Sequence, residues 1–299
     1  MADRLGLSMN YHTPVLLEEV VRQLQPRSGG WYLDATVGDG GHAEAILRAS
    51  APEGRLIGLD WDEEAIEVSR VRLASFGARV QLVAANYARM RTVLSELRVA
   101  GVDGVLFDLG VSSRQVDEPS RGFSFLRDGP LDMRMDRRSQ LTAAEVLARA
   151  SEGELARIFF EYGEERRSRA IARYIVRRRQ RERLGGTAQL VRWIEAVVGE
   201  KPGAVHPSVV RVFQALRIYV NGELDNLGEG LAAAEDVLRC GGRLVVISFH
   251  SLEDRVVKWF LRGAKRLRVL TKKPVAPGAE ERERNPRCRS AKLRAAEKI

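Results

Sequence analysis

The chain has 299 residues, 44% hydrophobic and 30% charged, with a net charge of +9, a composition that suits a soluble globular protein of one large or two ordinary domains. No stretch approaches the roughly 18 apolar residues of a membrane span, and Met1 to Asn10 has no apolar run after a basic patch, so no secretory signal is expected. Two cysteines, Cys240 and Cys288, make neither a disulfide framework nor a metal-ligand spacing, and the expected location is the cytoplasm.

The charge is concentrated at one end. From Arg262 onward, thirteen Lys or Arg stand against Glu280, Glu281, Glu283 and Glu297, which accounts for the whole net charge. A basic tail of this kind suggests a polyanion partner.

Taken in order, Thr13-Pro14 opens a helix to about Leu24, with proline at its first position. Short apolar strands at 31–36, 55–60, 80–84 and 102–109 then alternate with helices at 41–49, 63–76 and 88–99. This rhythm predicts an α/β fold with a parallel, doubly wound sheet. It breaks after Leu109. Residues 112–135 form a polar loop too long for an ordinary connection, and so a functional loop is expected. Residues 142–198 read as helices, with capping boxes at Thr142–Glu145 and Ser151–Glu154 and a break at Gly185-Gly186. The middle helix is heavily basic: Arg166, Arg167, Arg169, Arg173, Arg177, Arg178, Arg179, Arg181 and Arg183. The organisation predicted is a helical insertion at 112–206 between two parts of one domain, 1–111 and 207–299. The α/β pattern resumes with an apolar helix face at 209, 212, 213, 216 and 220. A fifth strand at 243–249, a helix at 252–263, and weak strands near Val269 and at 291–296 follow. The arginines of the insertion and the basic tail are candidate nucleic-acid contacts.

The chemistry centres on Thr36-Val37-Gly38-Asp39-Gly40-Gly41, between the strand end Tyr32 to Ala35 and an Ala-rich helix start, where glycines admit close approach and a helix start offers N–H groups. Ligands of a doubly wound sheet sit at the carboxyl ends of the strands, near the switch point. The second strand ends at Asp60, twenty residues after Gly40, suited to accept hydrogen bonds from a ribose diol. Asn86-Tyr87 follows the third strand, placed to lie on an adenine, and the fourth ends at Asp108. Together they predict an adenosine-type cofactor. The motif is G-x-G-G, with Ala43 where a dinucleotide fingerprint has its third glycine. Asp34 and Asp39 adjoin it, and no Lys or Arg is near. Negative charge there opposes a pyrophosphate and suits the sulfonium of S-adenosylmethionine. Methyl transfer is therefore favoured over the hydride transfer of a nicotinamide-dependent oxidoreductase. A non-catalytic RNA-binding or ribosome-assembly factor on the same scaffold is the other alternative.

The strings NYHTPVLLEEV, LDATVGDGGHAEAIL, FDLGVSS, RGFSF with DGPLDMRMD, FQALRIYVN, ISFHSLEDR and NPRCRSAKLRAAEK, spread from Asn10 to Lys298, resemble the bacterial MraW (RsmH) family of 16S ribosomal RNA cytosine-N4 methyltransferases. The resemblance implies a class I (Rossmann-like) methyltransferase sheet dependent on S-adenosylmethionine, with an inserted all-helical substrate-recognition domain. It implies a cytosine in the decoding region of 16S ribosomal RNA in the small subunit as target, with no membrane, DNA or metal involved. On matching positions, Gly40, Gly41 and His42 hold the methionine end and Asp60 the ribose. Tyr87 lies by the adenine, while Asp108 and Gln115 close the pocket. Tyr87 stands where Phe is common in the family, and Arg114 where Pro is common.

Cytosine N4 is a poor nucleophile because its lone pair is delocalised, so the enzyme must align it and accept its proton. Asp108 stands where amino-methyltransferases carry an Asn/Asp-Pro-Pro-aromatic turn, continued here as Leu109-Gly110-Val111. It is the candidate catalytic residue, with His250 after the fifth strand as second choice. Methylation at C5 needs a thiolate, and neither cysteine follows strand four. Phe123 and Phe125 in the long loop are candidates to flank the exposed base, and arginines of the insertion and tail to hold phosphates.

Overall fold

The computed structural model describes residues 13–299, so the Asn10-Tyr11-His12 start of one family-like string lies outside the described residues. In chain order the elements are α1 (Leu17–Leu24), β1 (Trp31–Asp34), α2 (Gly41–Ala49), β2 (Arg55–Asp60), α3 (Glu63–Arg72), β3 (Val80–Ala84), α4 (Met90–Glu96) and β4 (Val102–Asp108). Then come α5 (Ser113–Asp117), α6 (Ala143–Arg149), α7 (Glu152–Glu161), α8 (Ser168–Arg179), α9 (Thr187–Val198), α10 (Pro207–Asn221) and α11 (Glu223–Val237). The chain closes with β5 (Leu238–Ser248), α12 (Ser251–Gly263), β6 (Leu267–Val269), α13 (Ala279–Arg284) and β7 (Lys292–Lys298).

The seven strands form one sheet in the order β3-β2-β1-β4-β5-β7-β6. The first five pair in parallel, and β7 runs antiparallel between β5 and β6. Strand order reverses between β1 and β4, which makes their carboxyl ends the switch point. Apolar side chains bury both faces: Leu33, Ile57, Val105, Phe107 and Val246 in one layer, Tyr32, Leu56, Leu106, Val245 and Ile247 in the other.

The chain divides into two compact units, one comprising the chain to Gly110 with Asn226–Ile299, the other Val111–Asp225. The boundary expected at 206 is corrected, because α10 belongs to the second unit. Its apolar face, Val209, Val212, Phe213 and Leu216, is buried, and α10 packs against α6, α7 and α9 of the same unit. An apolar helix face shows that a helix is covered, but not by which layer. Helix α11, absent from the sequence reading, follows Gly222, which caps α10 in the left-handed region (φ 57°). Its Leu227, Leu231 and Ala234 recur at helical spacing and are buried.

Two further corrections concern the ends. Helix α1 starts at Leu17, not at Pro14: Leu16 is left-handed (φ 54°), and its N–H donates to Glu281 Oε1 at 2.7 Å. Part of the basic tail is structural. Arg294 pairs with Asp254 at 2.7 Å, Arg268 with Glu297 at 2.6 Å and Arg266 with Asp236 at 2.6 Å, while Lys298 donates to the Glu235 carbonyl. These cations hold β6 and β7 to the sheet and its flanking helices.

In the second unit the long 112–135 segment is strapped in place. Arg121, 3% exposed, donates to the carbonyls of Arg134 (3.1 Å) and Met135 (3.2 Å). Asn221 bonds Met133 and Met135 from α10, both at 2.8 Å. Phe123 is buried and Phe125 meets Phe213 edge-on at 5.7 Å, so both rings anchor the loop to its own unit rather than standing ready for a base. The arginines of α8 and the segment after it separate into two groups. Arg173 pairs with Glu152 and Arg178 with Glu182, while Arg167 and Arg179 donate to the carbonyls of Val197 and Leu147. Arg166, Arg169, Arg177, Arg181 and Arg183 are exposed, with no partner among the described residues.

Candidate cofactor and active site

The turn after β1 is built by its glycines and two acids. Gly38 (φ +50°) and Gly40 (φ +80°) take left-handed backbone that side chains disfavour. The N–H of Gly38 donates to Asp60 Oδ2 at 3.0 Å, that of Val37 to the Leu59 carbonyl and that of Gly40 to the Val37 carbonyl. These N–H groups therefore brace the turn against β2 instead of being offered to a ligand. Gly41 has a packing reason of its own: a Cβ there would come within 2.4 Å of Pro14 Cγ. The expectation that no cation is near the turn is corrected by Arg72 of α3, whose Nη1 lies 3.4 Å from the Asp39 carbonyl. Its charge is matched by Glu44 at 2.8 Å.

The strand-end acids converge on this turn. Asp34 is 1% exposed; its Oδ1 accepts from Thr36 N at 3.2 Å, and its Oδ2 has no hydrogen-bond partner. Asp108 N donates to Thr36 Oγ1 at 2.7 Å, tying the end of β4 to the turn. His42, buried at the start of α2, places Nε2 3.4 Å from Asp108 Oδ2, and no hydrogen bond forms. Both ring nitrogens of His42, Oδ1 of Asp108 and Oδ2 of Asp34 are thus buried without partners. Such atoms cost free energy unless something polar answers them. Two carboxylates and an imidazole suit the ammonium, carboxylate and sulfonium of an aminoacyl-sulfonium ligand.

Burial dominates the acid chemistry here. It pushes Asp34 up from 3.8 to about 7, with Asp108 and Asp60 adding repulsion and His42 opposing. Asp60 is pushed up to about 6 by burial, against the lowering effect of the Asp62 and Gly38 N–H groups. Each oxygen of Asp60 takes one backbone N–H, from Asp62 at 2.9 Å and Gly38 at 3.0 Å. A second lone pair on each is left for a diol.

Tyr87 follows β3, capped by Asn86, and is 8% exposed. Its ring meets Phe107 edge-on at 5.3 Å and fills the space where Gly230 of α11 lacks a side chain. Trp61, directly after Asp60 and tilted 40° to Tyr87 at 6.2 Å, is more exposed and was missed in the sequence. An aromatic adjoining the strand-two acid was the available signal. Gln115, in the second unit, forms a capping box with Ser112: its Oε1 accepts from Ser112 N at 3.0 Å and its N–H donates to Ser112 Oγ at 3.2 Å. His250 likewise caps α12, with Nδ1 accepting from Glu253 N at 3.4 Å and Nε2 beside Glu253 Oε1 at 3.2 Å. That gives it a structural role.

Sheet order, switch-point acids and glycine turn together define a class I methyltransferase, a fold whose methyl donor is S-adenosylmethionine. The chain belongs to the MraW methylase family, whose model matches residues 9–299. It is 50% identical to a protein of Carboxydothermus hydrogenoformans, over 96% of this chain and 98% of that one, and 51% identical to one of Geobacter sulfurreducens, over 96% and 99%. Both are called ribosomal RNA small subunit methyltransferase H. Among solved structures, an rRNA methylase from Streptococcus thermophilus matches with a TM-score of 0.44 at 12% identity, covering 95% of this chain and 93% of that one. Among the described residues no helix is long and apolar enough to cross a membrane.

Proposed function

We propose that this protein methylates N4 of a cytosine in the decoding region of 16S ribosomal RNA, with the second unit recognising the substrate. The observation that carries the chemistry is Asp108, a switch-point carboxylate whose Oδ1 is buried without a partner beside the cofactor turn. When bound, S-adenosylmethionine supplies an electrophilic methyl group on a sulfonium and leaves as the thioether. The chain has three tasks. Asp60 holds the ribose through the lone pairs left on its carboxylate. Asp34, Asp108 and the His42 ring surround the charged aminoacyl end. Asp108 aligns the amino group of the base and takes the proton it loses as the N–CH3 bond forms and the C–S bond breaks.

The thiols support N- over C-methylation. Cys240 is at the amino end of β5, the edge of the sheet opposite the switch-point acids. Cys288 is buried in the tail, where burial pushes its thiol up and away from the thiolate that C5 attack needs. The relatives' names support a ribosomal RNA substrate.

The test is labelled methyl transfer to small subunits lacking the modification, followed by nucleoside mass spectrometry. N4-methylcytidine is expected, and label in C5-methylcytidine or no label at all would refute the reading. Asp108→Asn is expected to lower kcat about 100-fold at saturating cofactor. An unchanged kcat would remove Asp108 from the proton transfer.

A further inference from the structure

Helix α12 carries a feature that the cofactor site does not use. It buries Leu252, Glu253, Val257 and Leu261 against the first unit, so its opposite face is left to water. On that face Trp259 is 60% exposed. Lys258 Nζ lies 5.7 Å and Arg262 Cζ 5.5 Å from its ring centroid. Lys265, exposed, follows just past the end of the helix.

Among the described residues no acid answers the charge of Lys258, Arg262 and Lys265. The carboxylates of α12 are Glu253, buried at the His250 cap, and Asp254, paired with Arg294 and Lys292. Among the described residues none pairs with Lys258, Arg262 or Lys265. Cation–π contact accounts for two side chains lying on an indole. It does not account for leaving so large an apolar ring in water between Lys258 and Arg262, which no carboxylate among the described residues neutralises. An unpaired nucleotide answers both halves of the pattern, its base offering a flat face to the indole and its phosphates meeting the flanking cations. An RNA duplex keeps its bases stacked inside and offers no such face. An acidic peptide would meet the cations and leave the ring bare.

We infer that the Trp259 face of α12 is a second RNA-contact site, which stacks an unpaired nucleotide of the substrate on the indole and holds its phosphates with Lys258 and Arg262. It rests on the ribosomal RNA reading above. Helix α12 leaves the carboxyl end of β5, next to β4, and Trp259 lies about 12 Å along its axis from that edge. A strand passing the switch point reaches it without leaving the first unit.

Indole fluorescence with a single-stranded RNA of about ten nucleotides tests the site. The wild-type protein is expected to be quenched on binding. Trp259→Phe keeps a stacking ring and most of the affinity but loses that quench, with Trp31, Trp61 and Trp193 as the remaining signal. Trp259→Ala weakens binding about 10-fold, as does the Lys258→Glu, Arg262→Glu pair, while circular dichroism shows an intact fold. Equal quenching in wild type and Trp259→Phe, equal quenching by a duplex of the same sequence, or unchanged affinity of Trp259→Ala would overturn the site. Methyl transfer by the wild-type protein to small subunits is scored separately. Its failure refutes the ribosomal RNA reading, whereas transfer whose KM is indifferent to Trp259→Ala refutes this site alone.

Discussion

A chain lacking residues 286–299 is expected not to fold. By composition this is a basic tail, but β7 is an interior strand, registered with β5 from Arg243↔Glu297 to Ser248↔Lys292 and with β6 on its other edge. Leu293, Ala295 and Ala296 are fully buried, and Cys288 fills the layer that also holds α1. Removing the segment strips two ladders of hydrogen bonds, each worth about 1 kcal/mol net, and uncovers apolar surface worth about 1.5–3 kcal/mol for each large side chain. Against a total stability of about 5–15 kcal/mol, that is more than the fold can lose. It also leaves Asp254 without Arg294 and Arg243 without Glu297. Circular dichroism and soluble yield read the result. A truncated chain with a native-like cooperative melt would show that β7 is dispensable. Charge reversal at Lys272 and Lys273, both exposed, is expected to leave the fold intact and is the fairer probe of the tail's electrostatics.

The second large effect is at Asp60. Asp60→Ala is expected to weaken S-adenosylmethionine binding by at least about 100-fold. The estimate comes from two hydrogen bonds to a charged acceptor, each worth about 1.5–3 kcal/mol, with 1.4 kcal/mol per decade of affinity. The same carboxylate braces Gly38 and Asp62, so the turn also loosens and the melting temperature falls modestly. Relief of burial works the other way, because the wild-type acid is raised to about 6. Calorimetry on folded protein decides. An affinity within a factor of about two of wild type would remove Asp60 from the cofactor site.

The first half of the sheet was legible because each parallel strand is a short apolar run closed by a turn, and the acids that end β1, β2 and β4 are read directly from the sequence. The edges were harder. The tail's cations look like a solvated charge run, and only three-dimensional pairing shows that Arg268, Arg294 and Lys298 are committed internally. Helix α10 has an apolar face that fits either unit. The family-like strings turn out to include contacts that hold the fold: Asn221 of FQALRIYVN holds the Met133–Met135 stretch of DGPLDMRMD, and His250 and Glu253 of ISFHSLEDR cap α12. Of the candidate site, His42, Asp60 and Asp108 are offered by strand ends and resemblance. Trp61 is offered only by its place directly after Asp60, a weak signal in a chain whose other aromatics are mostly core.

A sulfonium donor at the glycine turn would sit among acids that are themselves poised to titrate. Asp34 and Asp60 carry raised values of about 7 and about 6. The stability linked to them is full below the usual 3.8 and lost as pH rises through those values. A cation at the turn favours the ionised acids, so affinity rises with pH across the same window: the ammonium common to both ligands gives each a rise, and the sulfonium of S-adenosylmethionine adds to it. Titration calorimetry of the wild-type protein with S-adenosylmethionine, S-adenosylhomocysteine and NADH, from about pH 5.5 to about pH 8, reads this directly. The account predicts that the first two bind, that the advantage of the sulfonium over the thioether grows through about pH 6 to 7, and that NADH does not compete. Binding of NADH with none of S-adenosylmethionine or S-adenosylhomocysteine would contradict it.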